Sequence, residues 1–332
     1  LGHRISSQSS GVCRECIPLR HAGCQRCQRG FRLRYDRRFY AGGLPLRSAS
    51  AQNRQTPENL TQMAGVLGQA VAAPERYAPE VLEPISRQQS AAACFGWDIW
   101  HAYELSWCIG DQACHWVGWL SIPADSPATV ESKSLKLYLN SLNFHSFADH
   151  RGAVNTICAD ISACAGAIVT LECLPVEGLS DITEELDGVN LPACAAYQGI
   201  ETISADLLTH SPRKGNVVSE HLVSHSLRSL CPVTAQPDWG SLSIRYSGKA
   251  IDHESVSAYL TGYRSHQGFH EQCVDQIFAD LLALKPDSLQ VVGFYQRRGG
   301  IDITPWRSTE PLAANPQRLG RQSPSCPPNE LD

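Results

Sequence analysis

The sequence predicts an α+β protein made of two tandem modules, each an antiparallel sheet packed against two helices. The order strand, strand, helix, helix, strand occurs twice, over about 99–175 and about 220–300. Strands and helices are segregated within each copy, which favours antiparallel sheets over a parallel, doubly wound sheet. In addition, no Gly-x-Gly-x-x-Gly follows a predicted strand, so the fingerprint of a Rossmann nucleotide site is missing.

The first module begins with two strands and continues with two helices. Aromatic and aliphatic residues predict strands at 99–108 and 116–125, joined by a polar turn. Residues 131–142 fit a strand through alternating leucines and a helix through one apolar face. We favour the helix because two serines near its start can cap it. A helix over about 150–164 and a strand at 167–175 complete the module.

The second module repeats this order. Its strands are predicted at 220–234 and 240–251. Asp252 can cap the next helix, and a further helix starts near His270, each with apolar residues spaced along one face. A strand at 289–300 ends the module.

Four segments are therefore expected along the 332 residues. They are a disordered extension at 1–57, the first module at 58–200, the second, catalytic module at 201–308 and a disordered tail at 309–332. The extension holds eleven arginines up to Arg54, no lysine and no periodic apolar pattern, which is poor material for a core. It also contains four cysteines with the pattern of zinc ligands, at Cys13, Cys16, Cys24 and Cys27. The seven-residue spacer is short for a zinc site, so an unstructured extension stays the alternative.

The composition of the full chain is typical of soluble proteins, and we expect a cytoplasmic one. Hydrophobic residues make up 42% and charged residues 18%, as in ordinary globular proteins, and no apolar run reaches the roughly 18 residues of a membrane span. The net charge of −5 provides no general attraction to nucleic acid, so we expect no direct contact with RNA or DNA. The 14 cysteines are scattered, which favours free thiols in a reducing compartment.

The stretch CPVTAQPDWG (231–240) holds one cysteine and one aspartate and no other ionisable side chain. Cysteine is a strong nucleophile, and Cys231 is a candidate for that role. Each residue alone has an ordinary explanation, because cysteines at strand ends are often buried and Pro-Asp-Trp-Gly suits a turn. Together they indicate a catalytic pair, since a turn that folds back would bring Asp238 beside the thiol as a proton donor.

Three other segments carry candidate ligand-binding side chains. His270 and Glu271 begin a predicted helix, where an acid often complements the dipole, but a carboxylate also binds two parallel N–H donors such as the edge of a guanine. Glu131 precedes a serine and a lysine and could equally be an exposed helix start. The arginine pair in QRRGG (296–300) suits phosphate, although Arg-Gly turns are frequent on surfaces.

The strings ESKSLKLYLNS, CPVTAQPDWGS, FHEQC and RRGG with DITPWRS occur in this order along the chain. In this combination the sequence closely resembles the NADPH-dependent 7-cyano-7-deazaguanine reductases of the longer, two-module type. The similarity covers about residues 60–308 and includes YELSW at 103–107, whereas the extension before it has no counterpart.

The resemblance implies a tunnelling fold, in which modules assemble around a central channel, and a homodimer. It implies that two NADPH reduce a nitrile base to 7-aminomethyl-7-deazaguanine for queuosine biosynthesis. Cys231 matches the nucleophile that forms a covalent thioimide, and Asp238 matches the acid that protonates the nitrile nitrogen. The implied base contacts are Val130, Glu131, Ser132, His270 and Glu271, and the implied NADPH contacts are Ser132, Lys133, Arg298 and Gly299.

Two alternatives stay open from the sequence. A zinc-dependent cyclohydrolase of the same fold would also bind a guanine-like base through a glutamate, but it needs a cysteine and histidine ligand set. No Cys-x-x-Cys pair occurs after residue 60, and we expect no metal there. A non-catalytic purine-binding module is the second alternative.

Overall fold

A computed structural model describes residues 72–87, 95–176, 186–212, 217–296 and 299–311. The whole of the predicted extension (1–57), with its four cysteines, and the tail from residue 312 lie outside these ranges. The strands in the described ranges are β1 (Pro84–Ser86), β2 (Phe95–Ile109), β3 (Gln112–Pro123), β4 (Ala128–Val130), β5 (Ser146–Phe147), β6 (Thr170–Pro175), β7 (Val189–Asn190), β8 (Val217–Leu230), β9 (Pro237–Lys249), β10 (Ser288–Tyr295) and β11 (Ile301–Ser308). The α-helices are α1 (Ser132–Ser141), α2 (His150–Ala165), α3 (His253–Thr261) and α4 (His270–Leu282).

One sheet contains strands of both modules, and β1 and β4 form a separate antiparallel pair. The order of the large sheet is β6-β3-β2-β11-β10-β9-β8-β7, with β5 beside β2. Neighbours are antiparallel except for the two-residue pairings of β5 with β2 and of β7 with β8. The α+β class with antiparallel pairing is confirmed, and the two modules share a seam where β11 pairs with β2 from Ile301↔Ala102 to Ser308↔Phe95.

Strand β11 was missed from the sequence. The last strand was expected to continue to residue 300, but β10 ends at Tyr295 and the chain turns through Gly299 and Gly300, both with positive φ, into β11. Pro305 argues against a strand because it lacks an amide proton. It is tolerated here because β11 pairs with β10 only after it, over Trp306 to Ser308.

The first hairpin is longer than predicted. The segment expected as a seven-residue polar turn is mostly strand, because β2 runs to Ile109 and β3 begins at Gln112. Only two residues remain in the turn, and Gly110 adopts φ +60, a conformation that glycine reaches without steric cost.

All four α-helices occur where the sequence predicted helices. Asp252 caps α3 as expected, because its side chain accepts a hydrogen bond from the Ser255 amide. The prediction that a serine caps α1 was wrong. Glu131, and neither serine, accepts from the first amides of that helix. No helix in the part of the chain covered by the structure is long and apolar enough to cross a lipid bilayer.

Two apolar cores lie under the two helix pairs. Ile301 and Ile303 of β11 pack in the first core, with α1 and α2, although they belong to the second module by sequence. Arg307, on the same face of β11, reaches α4. Since alternate residues of a strand share a face, both helix pairs cover the same side of the sheet.

A tyrosine–aspartate bond between the two helices recurs in each module. The Tyr138 hydroxyl donates to Asp160 Oδ2 at 2.6 Å, and the Tyr259 hydroxyl donates to Asp280 Oδ2 at 2.6 Å. Each tyrosine lies on the first helix of its pair and each aspartate on the second. This repetition in three dimensions is the counterpart of the repeated element order in the sequence.

Gly96 lies on β2 at the seam, opposite Arg307 of β11, and its replacement by alanine is expected to destabilise the protein. A Cβ at this position would lie 2.2 Å from the backbone oxygen of Trp306. Overpacking of this kind typically costs about 1–3 kcal/mol. Thermal unfolding should show a melting temperature several degrees lower. Gly199→Ala is the control, because a Cβ there would have nothing within 4 Å. Equal melting temperatures for the two variants would contradict the prediction.

Candidate active site

A cavity of about 250 Å³ lies where the two modules meet. Its walls come from the start of α1 in the first module and from the β8–β9 turn and the start of α4 in the second. The predicted site residues that line it are Val130, Ser132, Lys133, Cys231, Asp238, His270, Glu271 and Gly299. Residues far apart in the sequence are thus brought to one place, except that Arg298 lies outside the described residues.

Cys231 is the first residue after β8, at the base of the turn between β8 and β9. The turn is closed by the Cys231 amide, which donates to the Gln236 carbonyl at 2.9 Å, and by the Ala235 amide, which donates back to the Cys231 carbonyl at 3.0 Å. Ala235 holds φ +53 there, a conformation that is uncommon for a residue with a Cβ. The thiol is not in a disulfide and its residue is partly exposed, so it is open to the cavity rather than sealed in the core.

Asp238 reaches the same cavity from β9. The strand register pairs it with Ser229, two residues before the cysteine. Its side chain is buried, and Oδ2 lies 3.3 Å from Nε2 of His270. The His270 ring stacks on Tyr295 with the ring centroids 3.9 Å apart. The carboxyl group is therefore held by a fixed imidazole at the edge of the cavity.

Glu271 is the buried carboxyl group of the site. It lies in the first turn of α4 and is 4% exposed. Burial and then the negative charge of Asp98 raise its pKa from 4.5 to about 7, while His270 and Arg87 act in the opposite direction. A carboxyl group with this pKa changes its charge near neutral pH, so a ligand that donates N–H bonds would favour the ionised form.

Glu131 lies at the start of α1 as expected, but its side chain is buried and not exposed. Its two carboxylate oxygens accept the amides of Lys133 and Ser134 at 2.9 and 2.7 Å, so it caps α1 and is 1% exposed. Burial raises its pKa, although these hydrogen bonds lower it. The carboxylate is not among the cavity walls, whereas its neighbours Val130 and Ser132 are.

Sequence reasoning missed several cavity residues, among them Lys136, Gln236 and Phe269. Lys136 could have been found, because it lies three positions after Lys133 and therefore on the same helix face. Gln236 and Phe269 belong to the two turns that close the site and carry no local signature. In the ranges that the structure covers, no three His, Cys, Asp or Glu side chains are grouped as metal ligands.

Comparison with known proteins gives consistent matches over most of the chain. The family described as nitrile reductase, 7-cyano-7-deazaguanine-reductase N-terminal, matches residues 73–173, and the family described as QueF-like protein matches residues 237–313. The NADPH-dependent 7-cyano-7-deazaguanine reductase of Acinetobacter baylyi is 41% identical over 267 residues, covering 77% of this chain and 98% of the relative. The enzyme of the same name from Acinetobacter baumannii strain SDF is 42% identical over 270 residues, with the same coverage.

Proposed function

The chain belongs to the family of NADPH-dependent 7-cyano-7-deazaguanine reductases, and we propose that it reduces the nitrile of 7-cyano-7-deazaguanine to an aminomethyl group. The product, 7-aminomethyl-7-deazaguanine, then serves queuosine biosynthesis. The observation that carries the proposal is the cavity shared by a free thiol, Cys231, and two carboxyl groups, Asp238 and Glu271. These are the groups needed to capture a nitrile, to protonate it and to hold a guanine-like base.

Cys231 is the nucleophile in this proposal. Its sulfur adds to the nitrile carbon, and a C–S bond forms as one C≡N π bond breaks. Asp238 takes the thiol proton as the sulfur adds and delivers it to the nitrile nitrogen, so that Asp238 ends as a carboxylate and the product of the step is a thioimide. The His270 ring, 3.3 Å from Asp238 Oδ2, orients that carboxyl group. A protonated C=N carbon is a far better hydride acceptor than a nitrile, which is the reason for covalent capture.

Glu271 recognises the base. Its ionised carboxylate accepts the parallel N–H donors on the guanine-like edge in bidentate fashion. Val130 and Ser132 form the facing wall, and Glu131 holds both in place through the cap of α1. His270 lies beside Glu271 at the start of α4 and contacts the same ligand.

NADPH supplies the hydride for each of the two reductions when it is bound. Ser132, Lys133 and Gly299 line the cavity and would hold it, with Arg298 as a further phosphate contact. The lysines Lys133 and Lys136 fit this purpose, because both line the cavity and their charges suit the phosphates of NADPH. An enclosed site also keeps water away from the imine between the two reductions.

The reaction is tested by counting NADPH. Nitrile-to-amine conversion takes up four electrons, so we expect two NADPH oxidised for each aminomethyl product, followed by nicotinamide absorbance and product chromatography. NADPH oxidation that does not depend on the nitrile base, or a ratio of one, would contradict the proposal. A cyclohydrolase would turn over without NADPH.

Asp238→Asn is expected to lower kcat by about 100-fold or more, because an amide cannot transfer the proton that the nitrile nitrogen needs. The Kd of the base should change little, since Glu271 is intact. Steady-state kinetics and calorimetric titration check the two parts. Asp206→Asn, at an exposed aspartate, is the control. A normal kcat for Asp238→Asn would exclude this residue as the acid.

We also propose a cytoplasmic homodimer without direct nucleic-acid binding. In the described part of the chain the sheet ends in β6 on one side and in the two-residue β7 on the other. Sheet edges are templates for pairing with another chain, and a second copy could continue the sheet around a channel. Analytical ultracentrifugation of the full chain checks the stoichiometry, and a monomer at micromolar concentration would contradict it.

A further inference from the structure

Four charged side chains form linked ion pairs at the seam between β2 and β11. Asp98 and Arg307 are fully buried, and Arg307 Nη1 lies 2.9 Å from Asp98 Oδ1. Arg307 Nε donates to Asp275 Oδ1 at 2.5 Å, and Arg87 pairs with the other oxygen of Asp98. We call these four residues the seam network. None of them was singled out from the sequence, because the partners are distant along the chain.

The seam network connects three elements. Asp98 lies on β2, Arg307 on β11 and Asp275 on α4. Arg307 is further fixed by Nη1, which donates to the carbonyl oxygens of Trp97 and Trp306 at 3.2 and 3.0 Å. Gly96, the strand partner of Arg307, leaves room for that side chain, because a Cβ there would lie 3.0 Å from Arg307 Cδ. The guanidinium is therefore held at one place on the seam.

The burial of these charges calls for a reason beyond stability. Removing ions from water costs several kcal/mol for each ion. Replacing a buried ion pair by well-packed apolar residues often leaves the stability of a protein unchanged or increases it. Burial alone would lower the pKa of Arg307, but Asp98 and Asp275 raise it above its usual value, so the guanidinium stays charged. Such a network fixes relative positions more strictly than apolar contacts do.

We propose that Arg307, Asp98 and Asp275 are positioning residues for base recognition, because their ion pairs hold the first turns of α4 against the seam and so fix the Glu271 carboxylate at the cavity. Asp275 lies one helical turn after Glu271, on the same face of α4. A shift of this turn would move the carboxylate away from the base without changing Cys231 or Asp238. The inference rests on the proposed function, since it names what holds the base-binding group.

Asp98 has a second effect, on the charge of Glu271. The charged and titratable groups that face Glu271 are Asp98 on β2, Arg87 after β1, and His270 and Cys273 on α4. The negative charge of Asp98 raises the pKa of Glu271. Asp98→Asn should therefore lower this pKa, and Glu271 would stay ionised at more acidic pH. A purely structural role of Asp98 would not produce this shift.

The test measures equilibrium binding of 7-cyano-7-deazaguanine by calorimetry, in the full chain carrying Cys231→Ala so that no covalent bond forms. Asp275→Asn and Arg307→Lys are the network variants. Asp280→Asn is the matched control, because Asp280 lies on the same helix and bonds to Tyr259, away from the cavity. We expect the network variants to raise the Kd of the base on the order of tenfold, a usual size for coupling through a shared network. The control should lose thermal stability but keep the Kd.

Equal Kd values in Asp275→Asn, Asp280→Asn and the parent would overturn the positioning role. For Asp98→Asn, the fall of base affinity on acidification should move to lower pH, and an unmoved curve would refute the effect of Asp98 on Glu271. Failure of the proposed function is seen separately, because the unmutated chain would then form no adduct on Cys231. An adduct with unchanged affinity in all network variants would overturn the inference alone.

Discussion

Replacing Cys231 with alanine is expected to abolish both nitrile-dependent NADPH oxidation and the covalent adduct with the base. A methyl group cannot add to the nitrile carbon, and no other described cysteine lines the cavity. Loss of a nucleophile commonly lowers kcat by about 10⁴-fold or more. Intact-protein mass spectrometry of the unmutated chain should show a mass gain equal to the base, and peptide mapping should place it on the peptide that contains residue 231.

Cys114→Ala is the control for this variant. Cys114 lies on β3 and is a free thiol of comparable partial exposure, but it does not line the cavity. It should therefore keep both the activity and the adduct. An adduct that persists in Cys231→Ala would refute the assignment of the nucleophile, even if the activity were low.

Glu271→Gln is expected to lose base binding and to gain stability above neutral pH. The pKa of Glu271 is about 7 in the folded protein against 4.5 for an ordinary glutamate, so the folded state binds an extra proton between these values. Stability then falls as the pH rises from 4.5 to 7, because the buried carboxyl group must ionise. Glutamine avoids this cost, which is on the order of 3 kcal/mol at 1.36 kcal/mol for each pKa unit.

Two measurements check Glu271→Gln. The melting temperature should exceed that of the unmutated chain at pH 8 and equal it below about pH 4.5, where both side chains are neutral. The Kd of the base at pH 8 should rise by about 100-fold or more, because the amide offers one acceptor where the carboxylate offers two. Glu254→Gln is the control, an exposed glutamate in the first turn of α3 that should change neither quantity. A melting temperature that is lower at pH 8 would contradict the stability argument.

Local patterns account for the parts of the fold that the sequence predicted. Apolar spacing found α3 and α4, and a capping aspartate located the start of α3. The predicted residues of the cavity come from four motifs that are separated along the sequence. No single sequence pattern indicates that these motifs lie together in space. Resemblance to a family indicated it, since spatial neighbours such as Ser132 and Cys231 share no periodicity.

The parts that the sequence did not predict depend on distant contacts. The strand β11 contains Pro305. This proline is compatible with a strand only because the pairing of β11 with β10 begins after it. The cap of α1 by Glu131 replaces the more usual serine, because two carboxylate oxygens can serve two amides. The pair of Asp98 with Arg307 joins residues more than two hundred positions apart, and nothing near either residue indicates its partner.

The pairing of β11 with β2 has a consequence for biosynthesis. The first module receives Ile301 and Ile303 from the last described strand, so its core stays incomplete until that strand has been synthesised. Long-range strand pairing of this kind is slow to form and leaves an open edge exposed to aggregation. A chain truncated before Ile301 would leave the edge of β2 uncovered, a target for chaperones and proteases.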